Sequence, residues 1–111
     1  MEYLETAEEK RRMFIESCKL YEWELMEYTT LKEAKSISTI EEQTLIYLEE
    51  DLHQIDAMFQ TIKETCGTSA VTILWSLYIE GKTKKELSTH FKIPIRSLRN
   101  MIDIWEYNIF Q

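Results

Sequence analysis

Apolar residues recur along the first third of the chain at alternating steps of three and four. Such steps put side chains on one face of an α-helix, and sustained alternation is typical of a heptad seam. The pattern predicts one long helix from about residue 2 to about residue 36. A single charged residue, Arg11, interrupts it, and its stem can lie along the seam while its guanidinium stays in water. The seam consists of Leu4, Ala7, Arg11, Phe14, Cys18, Tyr21, Leu25 and Tyr28.

A second seam follows a short polar break and has no charged interruption. Thr39 and Glu42 have the spacing of a capping box, which predicts that a helix begins there. Gly67 suits the position just past its end. Two seams joined by a few residues predict an antiparallel helical hairpin, with core packing as the ordinary reason for both. The second seam consists of Leu45, Leu48, Leu52, Ile55, Phe59, Ile62 and Cys66.

The next segment predicts two shorter helices. Thr68 or Ser69 can cap the first of them, and Gly81 ends it. Thr83 and Glu86 form another capping-box pattern, which opens a helix reaching to about His90. The apolar face of the first of these helices consists of Ala70, Ile73, Leu74, Leu77 and Tyr78.

The last predicted helix opens at Ile93 and Pro94, since proline is tolerated in a first turn, and it runs to near Asn108. Its apolar residues fall within a stripe about 120° wide. With two glycines and one proline, the chain has little punctuation for strands, so the predicted fold class is all-α. The apolar stripe of the last helix consists of Ile95, Leu98, Met101, Ile102, Trp105 and Ile109.

Two units are predicted: an acidic helical hairpin over residues 1–67, for oligomerisation or partner binding, and a three-helix unit over residues 68–111. Residues 82–111 carry six basic and three acidic residues, a net charge of +3, whereas the remainder carries −10 and the whole chain −7. An acidic surface repels nucleic acid, so we expect any DNA contact to come from the C-terminal unit.

The compartment follows from what the sequence lacks. The N-terminus has no apolar segment of the secretory type, and no run approaches the length of a membrane span. A cytoplasmic protein is therefore expected, with Cys18 and Cys66 as reduced thiols. In the predicted hairpin Cys66 lies opposite about residue 10 and not opposite Cys18, which places the two thiols beyond disulfide reach.

Residues 77–101 fit a helix-turn-helix, with two capped helices and a tight turn between them. Leu87 and Phe91 can anchor the first helix, Ser88 permits a close crossing, and Ile93 fills the turn. Leu98 and Met101 anchor the second helix.

The segment resembles the fourth conserved region of bacterial sigma factors and the small phage-encoded regulators built around that unit. The resemblance covers residues 70–108 and is carried by Leu77-Tyr78-x-Glu80-Gly81-Lys82-Thr83-x-x-Glu86-Leu87, followed by Ile93 and Leu98. It implies that the last helix enters the DNA major groove. The chain departs from the family pattern at Lys92, where the turn usually carries glycine, and at Pro94, where a capping Ser or Thr is usual.

The outward face of the last helix supplies the candidate base contacts. At about 100° per residue, Arg96 and Asn100 lie roughly opposite the buried Leu98, with Arg99 to one side. Arginine suits guanine and asparagine suits adenine. Asp103 lies on the same face and opposes DNA binding unless it accepts from a cytosine amino group. The candidate phosphate contacts are Lys84, Lys85, Thr89 and Lys92.

Enzyme chemistry finds no support in the sequence, and no catalytic residue, cofactor or metal is predicted. Glu50 and His53 have the Glu-x-x-His form of di-iron bundles, but only one copy exists, so a solvated helix face explains them. The two glycines stand apart at residues 67 and 81, which excludes a Gly-rich phosphate loop. For His90 the sequence favours a partly buried position at a helix end over a phosphate contact.

The predicted function is a sequence-specific DNA-binding transcriptional regulator, of phage or mobile-element type by resemblance. Its partners would be double-stranded DNA and, through the acidic hairpin, RNA polymerase or another protein. A homodimer through the hairpin is expected, because Tyr21, Trp23, Met26 and Tyr28 offer more apolar surface than one helix covers. The alternative is an acidic helical adaptor or inhibitor that binds protein and not DNA. An open face at Arg96, Arg99 and Asn100 would favour DNA, whereas a covered face would favour the adaptor.

Overall fold

Six α-helices make up the computed structural model, which describes residues 6–111, and this part of the chain contains no strand. The predicted all-α class is confirmed. The helices are α1 (Ala7–Lys19), α2 (Tyr21–Glu33), α3 (Thr39–Cys66), α4 (Thr68–Tyr78), α5 (Lys84–Phe91) and α6 (Ile95–Ile109).

The predicted single helix over residues 2–36 is wrong, because the chain forms two helices that meet at Leu20. The Leu20 N–H donates to the carbonyl of Ser17 at 3.2 Å, which tightens the last turn of α1. Phe14 and Cys18 are buried as the seam predicts, whereas Ala7 and Leu25 are exposed and Leu4 lies outside the described residues. The apolar seam therefore continues through the sequence although the helix itself breaks at Leu20.

The second predicted helix is confirmed as α3, with its cap shifted by one residue. Ser38, and not Thr39, is the N-cap: its side chain accepts from the Glu41 N–H, and the Glu41 carboxylate accepts from the Ser38 N–H. Gly67 ends the helix with a φ of 98°, in the region that favours glycine. The inward face from Leu48 to Ile62 is buried, as the second seam predicts.

Helix α2 packs antiparallel against the first part of α3. The Tyr21 hydroxyl donates to Asp56 at 3.0 Å, and Glu24, one turn further along α2, is hydrogen-bonded to Asp51, one turn earlier on α3. We call α2 together with the part of α3 up to Ile55, residues 21–55, the α2–α3 arm. Cys18 is buried and Cys66 is half-buried, and both are free thiols.

One core cluster draws buried residues from all six helices of the described chain. Phe14 of α1 contacts the rings of Phe59, Tyr78 and Phe110, which come from α3, α4 and the residue after α6. Helix α1 therefore packs on the C-terminal unit, and the core runs across the predicted boundary at residue 67.

Two local predictions in the C-terminal unit need correction. Neither Thr68 nor Ser69 caps α4, because the helix begins at Thr68 with Gly67 as its N-cap and without a side-chain cap. Pro94 is the N-cap residue of α6, one position before the first turn in which it was predicted. Within residues 6–111 no helix is long and apolar enough to cross a membrane.

Candidate nucleic-acid interface

Helix α5 begins at the capping box that the sequence predicts. The Glu86 N–H donates to the Thr83 hydroxyl at 3.1 Å, and the Thr83 N–H donates to the Glu86 carboxylate at 3.4 Å. Leu87 is buried in the core and fixes the inward face of the helix. The capping box and the buried Leu87 therefore fix the position of the N-terminal end of α5, which carries Lys84 and Lys85.

A three-residue turn joins α5 to α6. Lys92 adopts a left-handed conformation, with φ 56° and ψ 41°, and it is the one non-glycine residue of the described chain with positive φ. The Ser88 hydroxyl donates to the carbonyl of Ile93, and Ile93 packs against the core. The side chain of Lys92 is exposed to solvent.

The inward face of α6 is fixed by Leu98 and Ile102, which are fully buried. With that face fixed, the helical period turns the opposite residues outward. Arg96, Arg99 and Asn100 are all exposed, so the face predicted to contact bases is not covered by any other part of the described chain. Neither arginine forms an ion pair with a residue in the described range.

The four predicted phosphate contacts differ in environment. Lys85, Thr89 and Lys92 are exposed, whereas Lys84 is half-buried. The Thr89 hydroxyl donates to the carbonyl of Lys85 at 3.2 Å, so it must rotate before it can donate to a phosphate oxygen.

Lys85 and Thr89 lie together in a shallow depression that also includes Glu86 and His90. His90 is exposed, with its ring edge-to-face against Phe91. The partly buried position predicted for His90 is therefore wrong.

The basic residues at the start of α5 oppose the helix dipole. The N-terminal end of a helix carries a partial positive charge, so lysines in the first turn are unfavourable there by about 0.3–1 kcal/mol each. Lys84 and Lys85 occupy the first two positions of α5. Neither lysine forms an ion pair with any residue of the described chain. An anion bound at this end would offset the unfavourable charge.

The outward face of α6 is not purely basic. Asp103 is exposed, one turn beyond Arg99 and Asn100. Ile104 and Tyr107 are exposed as well, and Ile104 was not singled out by the sequence, since one apolar residue beside a wide stripe gives no clear signal. The N-terminal half of the face therefore carries two arginines and an asparagine, while its C-terminal half carries an aspartate and apolar side chains.

A partly buried polar cluster fixes the C-terminal half of α6 and was missed by sequence reasoning. The Nε atom of Arg11 lies 2.9 Å from the Glu106 carboxylate, which also accepts a hydrogen bond from the Tyr78 hydroxyl. Burial, and then the hydrogen bond to Glu106, raise the pKa of Tyr78, so the phenol remains a donor. The cluster ties α1 and α4 to the helix that carries the candidate base contacts.

Comparisons with protein-family models, with curated proteins and with solved structures give no match for this chain. Residues 6–111 contain no group of three or more His, Cys, Asp or Glu side chains placed to hold a metal ion.

Proposed function

We propose that this chain is a sequence-specific DNA-binding transcriptional regulator of phage or mobile-element type. In this proposal α5, the turn at Lys92 and α6 form a helix-turn-helix, and α6 enters the major groove. The observation that carries the proposal is the open face of α6, on which Arg96, Arg99 and Asn100 are exposed and the arginines have no ion-pair partner among residues 6–111.

The residues divide into two groups with different expected roles. Arg96 and Asn100 lie one turn apart in the N-terminal half of α6, the part of a recognition helix that usually reaches base edges. Lys84, Lys85 and Lys92 belong to α5 and the turn, where contacts to the DNA backbone are expected. Base contacts give sequence specificity, while phosphate contacts give affinity that depends on salt.

The first test is selection of binding sites from a random-sequence DNA library at low salt, followed by affinities across a salt series. Arg96→Ala should cost about 1–3 kcal/mol and relax discrimination at one base pair. Lys84→Ala or Lys92→Ala should instead weaken binding to all sequences alike and lower the salt slope by about one contact.

Two results would count against the proposal in different ways. A folded wild type that binds no DNA at low salt would contradict the proposed function as a DNA-binding regulator. If the chain binds DNA but Arg96→Ala leaves its sequence preference unchanged, α6 does not enter the major groove as proposed, although DNA binding itself is retained.

The second candidate function is an acidic helical adaptor or inhibitor that binds protein only. Asp103 favours it, because this carboxylate lies on the same exposed face as Arg96 and would be close to phosphates. Asp103→Asn tests what this carboxylate does if the chain binds DNA, whereas a folded wild type that binds no DNA at low salt favours the adaptor. A gain in DNA affinity for all sequences indicates simple repulsion, whereas a loss confined to sites with one particular base pair indicates that Asp103 accepts from cytosine.

A further inference from the structure

The α2–α3 arm carries apolar surface that nothing in the described chain covers. Ten large hydrophobic side chains are exposed among residues 6–111, and seven of them lie between residues 20 and 47. Two packed helices bury one face of each, so the flanks between them stay open unless a further helix completes a bundle. The arm therefore has the surface of an incomplete bundle.

Helical geometry places several of these residues on one or the other flank of the arm. Glu24 of α2 and Leu48 of α3 are buried between the helices. In an antiparallel pair the residues just after these two share one flank, and Leu25 and Glu49 do line a common depression. The residues just before them, Trp23 and Tyr47, therefore share the opposite flank.

Two further apolar residues extend the surface around Trp23 and Tyr47. Leu20 lies one turn before Trp23, and Ile40 lies two turns before Tyr47 on the same face of α3. We call Leu20, Trp23, Ile40 and Tyr47 the Trp23–Tyr47 flank. Each of the four side chains is more than half exposed. The surface is thus aromatic and aliphatic and is supplied by both helices.

Negative charge accompanies this flank. Glu27, which is half-buried, lies one turn after Trp23, and the exposed Glu50 lies one turn after Tyr47; neither carboxylate forms an ion pair within the described chain. Residues 21–55 contain nine acidic and two basic residues, a net charge of −7, whereas the rest of the sequence is balanced with eleven of each sign. The entire net charge of the protein therefore lies on the arm.

We propose that the Trp23–Tyr47 flank is a docking site for a basic amphipathic helix of another protein. An apolar stripe on that helix would pack on the four hydrophobic side chains, while its lysines or arginines would lie near Glu27 and Glu50. A second copy of this chain fits less well, since two arms would bring −7 against −7. The proposal does not depend on DNA binding by α6.

The test uses fluorescent peptides of about 20 residues, long enough to form a helix on binding. One contains Leu and Lys in helical spacing, and the other contains Leu and Glu in the same order. The full chain without DNA should bind the Leu/Lys peptide at least tenfold more tightly, by fluorescence anisotropy. Trp23→Ser with Tyr47→Ser should weaken this binding at least tenfold.

A matched control removes equivalent surface elsewhere. Ile104→Ser with Tyr107→Ser deletes one aliphatic and one aromatic exposed side chain from α6 and should leave peptide binding unchanged. Both double variants alter exposed residues, so thermal melts should show the fold intact. Failure of the Leu/Lys peptide to bind, equal binding of the Leu/Glu peptide, or equal loss in the control overturns the proposal.

Light scattering supplies the remaining outcome. A basic partner predicts a monomer mass near 13.4 kDa for the chain alone. A dimer that Trp23→Ser converts to monomer would show that a second copy occupies the flank, and it would overturn the proposal in favour of self-association.

Discussion

A single residue, Lys92, joins the conformation of the turn to its proposed contact with DNA. Its φ of 56° places an L side chain in the left-handed region, which costs roughly 1–2 kcal/mol. The side chain reaches solvent and has no ion-pair partner in the described range. A costly conformation with a free cation is consistent with selection for a contact outside the chain.

Lys92→Gly separates the two properties. Glycine relieves the backbone strain but has greater freedom in the unfolded chain, so the expected net gain in the free energy of unfolding is about 0.5–1 kcal/mol. Affinity for all DNA sequences should fall, because one phosphate contact is lost. Denaturant melts and DNA titrations measure the two effects.

Lys92→Ala is the control, because it removes the charge and keeps the strain. It should lose the same DNA affinity as the glycine variant without becoming more stable than the wild type. A Lys92→Gly variant that is less stable than Lys92→Ala would contradict the backbone strain assigned to Lys92.

The sequence does not identify Glu106 as the partner of Arg11. The sequence marks Arg11 as a charge within an apolar seam and predicts that its guanidinium stays in water, whereas the structure pairs it with Glu106. The partner lies near the other end of the chain, so only the folded structure identifies it. The guanidinium packs against Glu106, which is largely shielded from solvent.

At the scale of elements, most helices follow from local patterns. The second seam predicts the buried face of α3, Thr83 with Glu86 predicts the start of α5, and the stripe around Leu98 predicts the exposed face of α6. Local patterns do not fix Leu20 as a break, since no glycine or proline marks it and the apolar seam continues. The break separates α1, whose Phe14 contacts α3, α4 and Phe110, from α2, which runs antiparallel along α3 and contacts Trp75 of α4 through Tyr21.

The α2–α3 interface contains a pair of acidic groups that should make stability depend on pH. Glu24 is 3% exposed, and one of its carboxyl oxygens has no hydrogen-bond partner. Burial, followed by the hydrogen bond to Asp51 and the charge of Asp51, raises the pKa of Glu24 from 4.5 to about 7. Protonated Glu24 can donate to Asp51, whereas the ionised form places two carboxylates side by side.

The direction of the pH effect follows from proton linkage. Because the pKa of Glu24 is higher in the folded state, the folded chain binds more protons than the unfolded chain between pH 4.5 and about 7. The contribution of Glu24 to stability therefore falls as pH rises through that window and is constant above it. Between pH 5.5 and pH 8 the loss should be about 2 kcal/mol.

Glu24→Gln should remove most of this loss, since the amide does not titrate. Urea melts of wild type and variant at the two pH values measure it. Glu22→Gln is the matched control, because Glu22 is exposed on the same helix and should leave the wild-type dependence intact. A Glu24→Gln variant that loses as much stability as the wild type would contradict the assignment.

For the whole molecule, the distribution of charge sets the conditions under which DNA can bind. The arm carries the net charge of −7, and the remaining residues sum to zero. An acidic arm repels DNA over a distance set by the screening length, about 30 Å at 0.01 M ionic strength and about 8 Å at 0.15 M. Salt therefore weakens both the repulsion by the arm and the attraction by the basic C-terminal unit.

Neutralising the arm should separate these two effects of salt. Glu42, Glu49 and Glu50 are exposed on α3, so replacing all three with Gln removes charge without disturbing the core. Affinity for DNA should rise several-fold at about 0.01 M ionic strength and should be nearly unchanged at about 0.15 M, because a screened charge acts only at short range. Sequence discrimination by α6 should not change, since no base contact is altered.

The control variant has Asp at the same three positions, which keeps the charge and should give no gain in DNA affinity at either salt concentration. A gain that persists at 0.15 M, or that the Asp variant reproduces, would show that the arm affects DNA binding through structure and not through its field.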